Sequence, residues 1–154
     1  MKQSLLYTIL FFAFVGVLSS CDKKKSKDKN TTLAATDSIY FYALVDTFTF
    51  TGINAKAVYA GGADNPYVII TSETGTDSTD KVISLRIDNF AHQPGTYTIS
   101  PGGDAKASYK RSSKKTEYAD SGRITIHSIG NSLRGSFYFY TEHHRVSGGT
   151  FSAQ

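Results

Sequence analysis

From position 37 onward, apolar residues recur at every second position in short runs. No stretch there keeps a helical apolar period over three turns. A period of two places alternate side chains on opposite faces of a strand. Ile83, Leu85 and Ile87 share one face, while Ser84, Arg86 and Asp88 share the other. Ile124 and Ile126 alternate with Arg123, Thr125 and His127, and Leu133, Gly135, Phe137 and Phe139 alternate with Arg134, Ser136, Tyr138 and Tyr140. Clusters of Gly, Asn, Asp, Ser and Thr separate these runs. Gly130-Asn131 suits a tight hairpin turn with φ > 0, and Pro94-Gly95 marks another turn. Further strands are expected at Ile39–Val45, Phe48–Phe50, Ala55–Ala60, Tyr67–Ser72, Tyr97–Ile99, Ala105–Lys110 and Arg145–Ser152. Glu73–Asp80 and Arg111–Ser121 read as the longest loops. Short connections make sequence neighbours pair antiparallel. The expectation is an all-β domain: a single antiparallel β-sandwich of about eight to ten strands, with a closed β-barrel as the alternative.

Segment 37–154 has 118 residues, enough for one domain with one core. It contains no cysteine, so neither a disulfide nor a thiolate is available to it. Charge is unevenly placed. Residues 22–36 carry five lysines and two aspartates, whereas after position 36 eleven Lys or Arg balance eleven Asp or Glu. A neutral domain argues against nucleic acid as a partner, since phosphate binding needs a basic face.

The N-terminal segment differs in kind. Lys2 is followed by an apolar run of 14 residues, Leu5 to Leu18. As a helix that run spans about 21 Å, short of the about 30 Å bilayer core. A basic flank, a short apolar run and small residues at its end read as a signal peptide. Leu18-Ser19-Ser20-Cys21 resembles the lipobox of bacterial lipoprotein signal peptides. The resemblance implies that residues 1–20 are removed and that Cys21 is lipidated through its thiol. The lysine-rich stretch at 21–36 reads as a disordered tether, suited to anionic head groups or to solvent. The domains expected are therefore 1–20, 21–36 and 37–154.

Several short motifs recur in order: Gly95-Thr96-Tyr97-Thr98-Ile99, Ala107-Ser108-Tyr109, Ser121-Gly122-Arg123-Ile124-Thr125-Ile126, Gly135-Ser136-Phe137-Tyr138-Phe139 and Gly148-Gly149-Thr150-Phe151. With Tyr42-Ala43 and Val45-Asp46 they resemble a family of small uncharacterised lipoproteins from Bacteroidota, over nearly all of residues 38–152. Phe48 stands where that family suggests tryptophan. The resemblance implies an all-β envelope domain and no established activity.

Candidate chemistry is sparse. Tyr40, Tyr42, Tyr138 and Tyr140, with Arg86 and Arg123, occupy outward parities. Flat rings beside hydrogen-bonding groups suit a sugar, whose C–H face stacks while its hydroxyls bond. Cross-strand tyrosine pairing accounts for the same pattern without a ligand. His92, His127, His143 and His144 match no zinc spacing and read as solvated loop residues. The Glu73, Asp77, Asp80 loop lacks the calcium-loop pattern. No nucleophile elbow or phosphate-binding glycine loop is present. No cofactor or metal is expected.

The sequence thus reads as a membrane-anchored envelope lipoprotein carrying a non-catalytic binding or structural module. Its expected partner is a glycan or an envelope protein, and its expected place is the outer membrane, on the periplasmic side. A small hydrolase using loop carboxylates (Asp88, Asp104, Glu117) is the alternative, and it requires two of them to face each other. An inhibitor or immunity-type protein is a further option.

Overall fold

The computed structural model describes residues 38–75, 80–112 and 114–154, all within one compact unit, Ala34–Gln154. The signal peptide, Cys21 and the tether lie outside the described residues. Nine strands follow one another: β1 Tyr40–Val45, β2 Phe48–Ala60, β3 Tyr67–Glu73, β4 Lys81–Asp88, β5 Gly95–Ile99, β6 Ala105–Arg111, β7 Glu117–Ile129, β8 Leu133–Thr141 and β9 Arg145–Ala153. Their burial alternates residue by residue, most cleanly in β1 and β3, as the period of two requires.

The strands close on themselves in the order β1-β2-β3-β4-β6-β5-β7-β8-β9. The alternative architecture, a barrel, is therefore the one formed, and the sandwich is not. The deciding contact is long-range: β1 pairs with β9 through Tyr40↔Ser152, Phe41↔Phe151 and Tyr42↔Thr150. A sandwich would leave those two strands as edges of separate sheets. Where they pair, closure satisfies the backbone groups of both strands.

An odd-stranded barrel cannot alternate direction all the way round, so one pair of neighbours must run parallel. That pair is β5 and β6, joined at a single position, Ile99↔Ala105. The long β7 spans this weak seam. Its first residues pair with β6 (Tyr109↔Glu117, Ser108↔Tyr118), and its middle pairs with β5 from Ile99↔Gly122 to Gly95↔Ile126. Glu117–Ser121, expected as loop, is thus strand.

Two more local differences have physical causes. Phe48–Phe50 and Ala55–Ala60 are one strand, because a bulge between Ile53 and Lys56 absorbs the change of parity, with Asn54 at φ 52. Gly130 and Asn131 do turn the chain between β7 and β8, but the left-handed backbone falls elsewhere, at Asp46, Asn89, His92 and Ser112 among others.

The interior is filled by side chains from all nine strands. Phe41 stands at its centre, with ring centroids 5.7 Å from Phe50, 5.1 Å from Phe137 and 6.2 Å from Phe151. Ile70, Ile83, Leu85, Ile87, Ile124 and Ile126 complete the packing with almost no exposure. Small inward residues make room for large ones. A Cβ on Gly149 would sit 2.5 Å from a carbon of the Phe137 ring, so only glycine fits opposite that phenylalanine. Outward positions carry Arg86, Lys106, Arg123 and many threonines. Exposed tyrosines and a few aliphatic residues stand among them.

Candidate functional site

Alternate strands bring the β1–β2 turn, the β8–β9 turn and the start of β7 to one end of the barrel. The β2–β3 turn, the β4–β5 loop, the β7–β8 turn and the end of β9 gather at the other. Each end carries a cluster that sequence reasoning did not find.

At the first end His144 sits between two carboxylates. Its Nδ1 is 2.7 Å from Asp46 Oδ2, and its Nε2 is 3.6 Å from Glu117 Oε1. The ring stands edge-on to Tyr109, centroids 5.1 Å apart. Asp46 Oδ1 accepts the Arg145 amide at 2.9 Å, and the Asp46 amide donates to the Arg145 carbonyl at 2.8 Å. Thr141 Oγ1 donates to Glu117 Oε2 at 2.7 Å and accepts the His144 amide at 2.9 Å. The Arg145 amide and the His144 ring hold the Asp46 carboxyl below its ordinary value. Burial pushes the Tyr109 hydroxyl up. Both Asp46 oxygens and His144 Nδ1 serve fold contacts, and the Thr141 hydroxyl is engaged on both its proton and its oxygen. The arrangement therefore clamps three elements and presents no nucleophile. His144, read from sequence as a solvated loop residue, is a structural linker instead.

At the opposite end lies a cavity of about 340 Å³, lined by Ala57, Tyr59, Asn131, Ser132, Leu133 and Gln154 with their immediate neighbours. It forms because β1 begins at Tyr40 while β2 runs on. Past that point Gln154 takes over as the neighbour of β2: the Ala57 amide donates to the Gln154 carbonyl at 2.9 Å, and the Gln154 amide to the Ala55 carbonyl at 3.4 Å. Next along the same edge come the Ala57 carbonyl and the Tyr59 amide, with no described strand beside them. Tyr59 is 43% exposed. His92, in the β4–β5 loop, stacks on its ring with centroids 4.6 Å apart. Ser132 is buried, and its Oγ accepts from Arg134 Nε at 3.2 Å and from Ser152 Oγ at 3.1 Å.

The residues singled out from sequence divide into groups. Tyr138 and Tyr140 meet edge to face, centroids 6.1 Å apart, and Arg123 lies directly across from Tyr138. Tyr40 and Tyr42 lie on β1, separated from them by β9. All four rings are 38–43% exposed on the outer wall, which curves away across the strands instead of forming a groove. Arg86 is not with them. It lies on β4, three strands from both β1 and β7 in the barrel order, with Nε 2.6 Å from Asp88 Oδ1 and its guanidinium 4.2 Å over the Tyr67 ring.

Of the three carboxylates, Asp88 and Asp104 are neighbours and Glu117 lies apart. Asp88 takes Arg86 on one oxygen and Lys106 on the other, at 2.7 Å. Burial works to raise its carboxyl, but the hydrogen bonds from Lys106 and Arg86 outweigh it and hold it below its ordinary value. A general acid in glycoside hydrolysis needs the opposite shift. Asp104 is near Asp88, its side chain 3.4 Å from Asn89. Glu117 lies across from Tyr109, five residues beyond Asp104 along the chain, or about 17 Å at strand spacing. Glu117 is thus remote from the other two, and both Asp88 oxygens are taken by Arg86 and Lys106. Among the described residues no group of His, Cys, Asp and Glu side chains is arranged to hold a metal ion.

The fold and its ends therefore define a small, closed, apolar-cored β-barrel with a cavity of mixed polar and apolar lining and no assembled catalytic constellation among the described residues. Residues 37–153 match the family model described as Domain of unknown function (DUF6252), and the chain belongs to that family. No curated protein and no solved structure matches it.

Proposed function

We propose that this chain is a lipid-anchored envelope protein whose barrel serves as a non-catalytic binding or structural module. The filled interior carries this reading. Side chains from nine strands occupy the space a larger barrel gives to a ligand, so recognition falls to the outer surface. The outer wall of β1, β8 and β9 exposes Tyr40, Tyr42, Leu44, Tyr138 and Tyr140. Such aromatic residues suit a protein interface. Because this wall is convex, an envelope protein fits it better than a sugar does. Anchoring rests on Leu18-Ser19-Ser20-Cys21 and the lysine-rich stretch behind it. Asp22 followed by lysines favours the periplasmic side of the outer membrane.

The test labels cells with an alkyne fatty acid and fractionates them. Wild type is expected to carry the label and to sediment with outer membrane, and Cys21→Ser to lose both. An unlabelled wild type would end the anchoring reading. Crosslinking in intact envelopes is expected to yield a discrete adduct that Tyr138→Ala/Tyr140→Ala abolishes. An unchanged adduct would remove the tyrosine wall as the contact face.

A further inference from the structure

We propose that the cavity at the β2–β9 end binds a neutral sugar, at a site separate from the tyrosine wall. The volume, about 340 Å³, falls at the small end of the usual ligand-pocket range, about 300–1,000 Å³. The chemistry of the lining selects the class of ligand. Among the described residues no Lys, Arg or His side chain lines the cavity, so a phosphate or carboxylate group would lose water and gain no counter-charge. A purely apolar ligand would instead cover the Asn131 amide, and the Ala57 carbonyl and Tyr59 amide that meet no strand among the described residues, without bonding them, which is also costly. A pyranose meets both demands, with an apolar C–H face and a rim of hydroxyls.

Each part of the lining has a matching role. Tyr59 supplies the flat ring, and His92 stacked against it restricts its rotation. The Tyr59 amide donates and the Ala57 carbonyl accepts, at positions fixed by the strand. Ser132 accepts two hydrogen bonds already, so its own proton is the one left to donate. Asn131 sits exposed in the β7–β8 turn, with an amide that both donates and accepts. Ala57 and Leu133 are the apolar floor.

The experiment uses the full-length chain in phosphatidylcholine nanodiscs, which avoid glycoside detergents. Methyl glycosides of glucose, galactose, mannose and N-acetylglucosamine are titrated by saturation-transfer NMR, and the chain need not be acylated for this. At least one is expected to saturate at or below about 1 mM, with Asn131→Ala and Tyr59→Leu each weakening it about tenfold or more. Tyr138→Ala/Tyr140→Ala is expected to bind as wild type. The proposal is overturned if no glycoside saturates, or if glucose 6-phosphate binds more tightly than glucose. It is also overturned if a tetra-alanine peptide binds where no sugar does, or if Asn131→Ala melts like wild type and binds equally well. Loss of the lipid anchor alone would leave these outcomes unchanged, so the two readings fail separately.

Discussion

Asp46 holds the β1–β2 turn with a left-handed backbone, φ 54, which aspartate tolerates better than most residues. Its carboxylate then reaches residues 98 and 99 positions away, His144 and Arg145. Asp46 and Asp88 both have carboxyls held below the ordinary value of 3.8. A depressed folded value means that the unfolded chain takes up protons first as pH falls. Their stabilisation is therefore complete above about pH 5 and is lost as pH drops through 3.8 and then through the lower folded values. Asp46→Asn keeps the turn and the Arg145 contact but removes the charge. It is expected to cost about 1 kcal/mol or less at pH 6, because the side chain is half exposed. The difference from wild type should vanish by pH 2 in urea melts. A gap that persists there would mean that charge is not its source. None of this was legible locally: His144 is one of two adjacent histidines, and nothing in the sequence distinguishes the linker from its solvated neighbour.

At the scale of elements, pairing strength varies round the barrel. β8 is flanked along its length by β7 and β9, whereas β5 has β7 on one side and only the Ile99↔Ala105 bridge on the other. Local opening follows the number of neighbours a strand must leave. Amide hydrogen exchange is expected to be fastest at β5 among the strands, by at least about tenfold over β8. Equal protection in the two would show that the seam is as firm as the rest. The individual strands were readable because alternation is a local signal. Ile83–Ile87 and Leu133–Phe139 appear as expected. The errors fall where a bulge changes parity, at Ile53–Lys56, and where a polar segment is recruited as strand by a neighbour, at Glu117–Ser121.

Across the whole molecule, closure depends on a few rings that bridge strands distant in sequence. Phe41 touches Phe50, Phe137 and Phe151, on β2, β8 and β9. Phe41→Ala is expected to lower unfolding stability by about 3–5 kcal/mol, a large share of the about 5–15 kcal/mol of a typical domain. A loss below about 1 kcal/mol would show that the core closes without this ring. The sequence by itself determined the all-β class, the position of most strands, the inward and outward residues, and a match over residues 37–153 to a domain family of unknown function. Each of these is carried by neighbours along the chain. Tertiary structure alone decided that β1 meets β9, that Asp46 meets His144, and that a cavity opens where β1 stops short. Those outcomes depend on which backbone groups, far apart in sequence, find each other once the sheet has curled, and no periodicity records that.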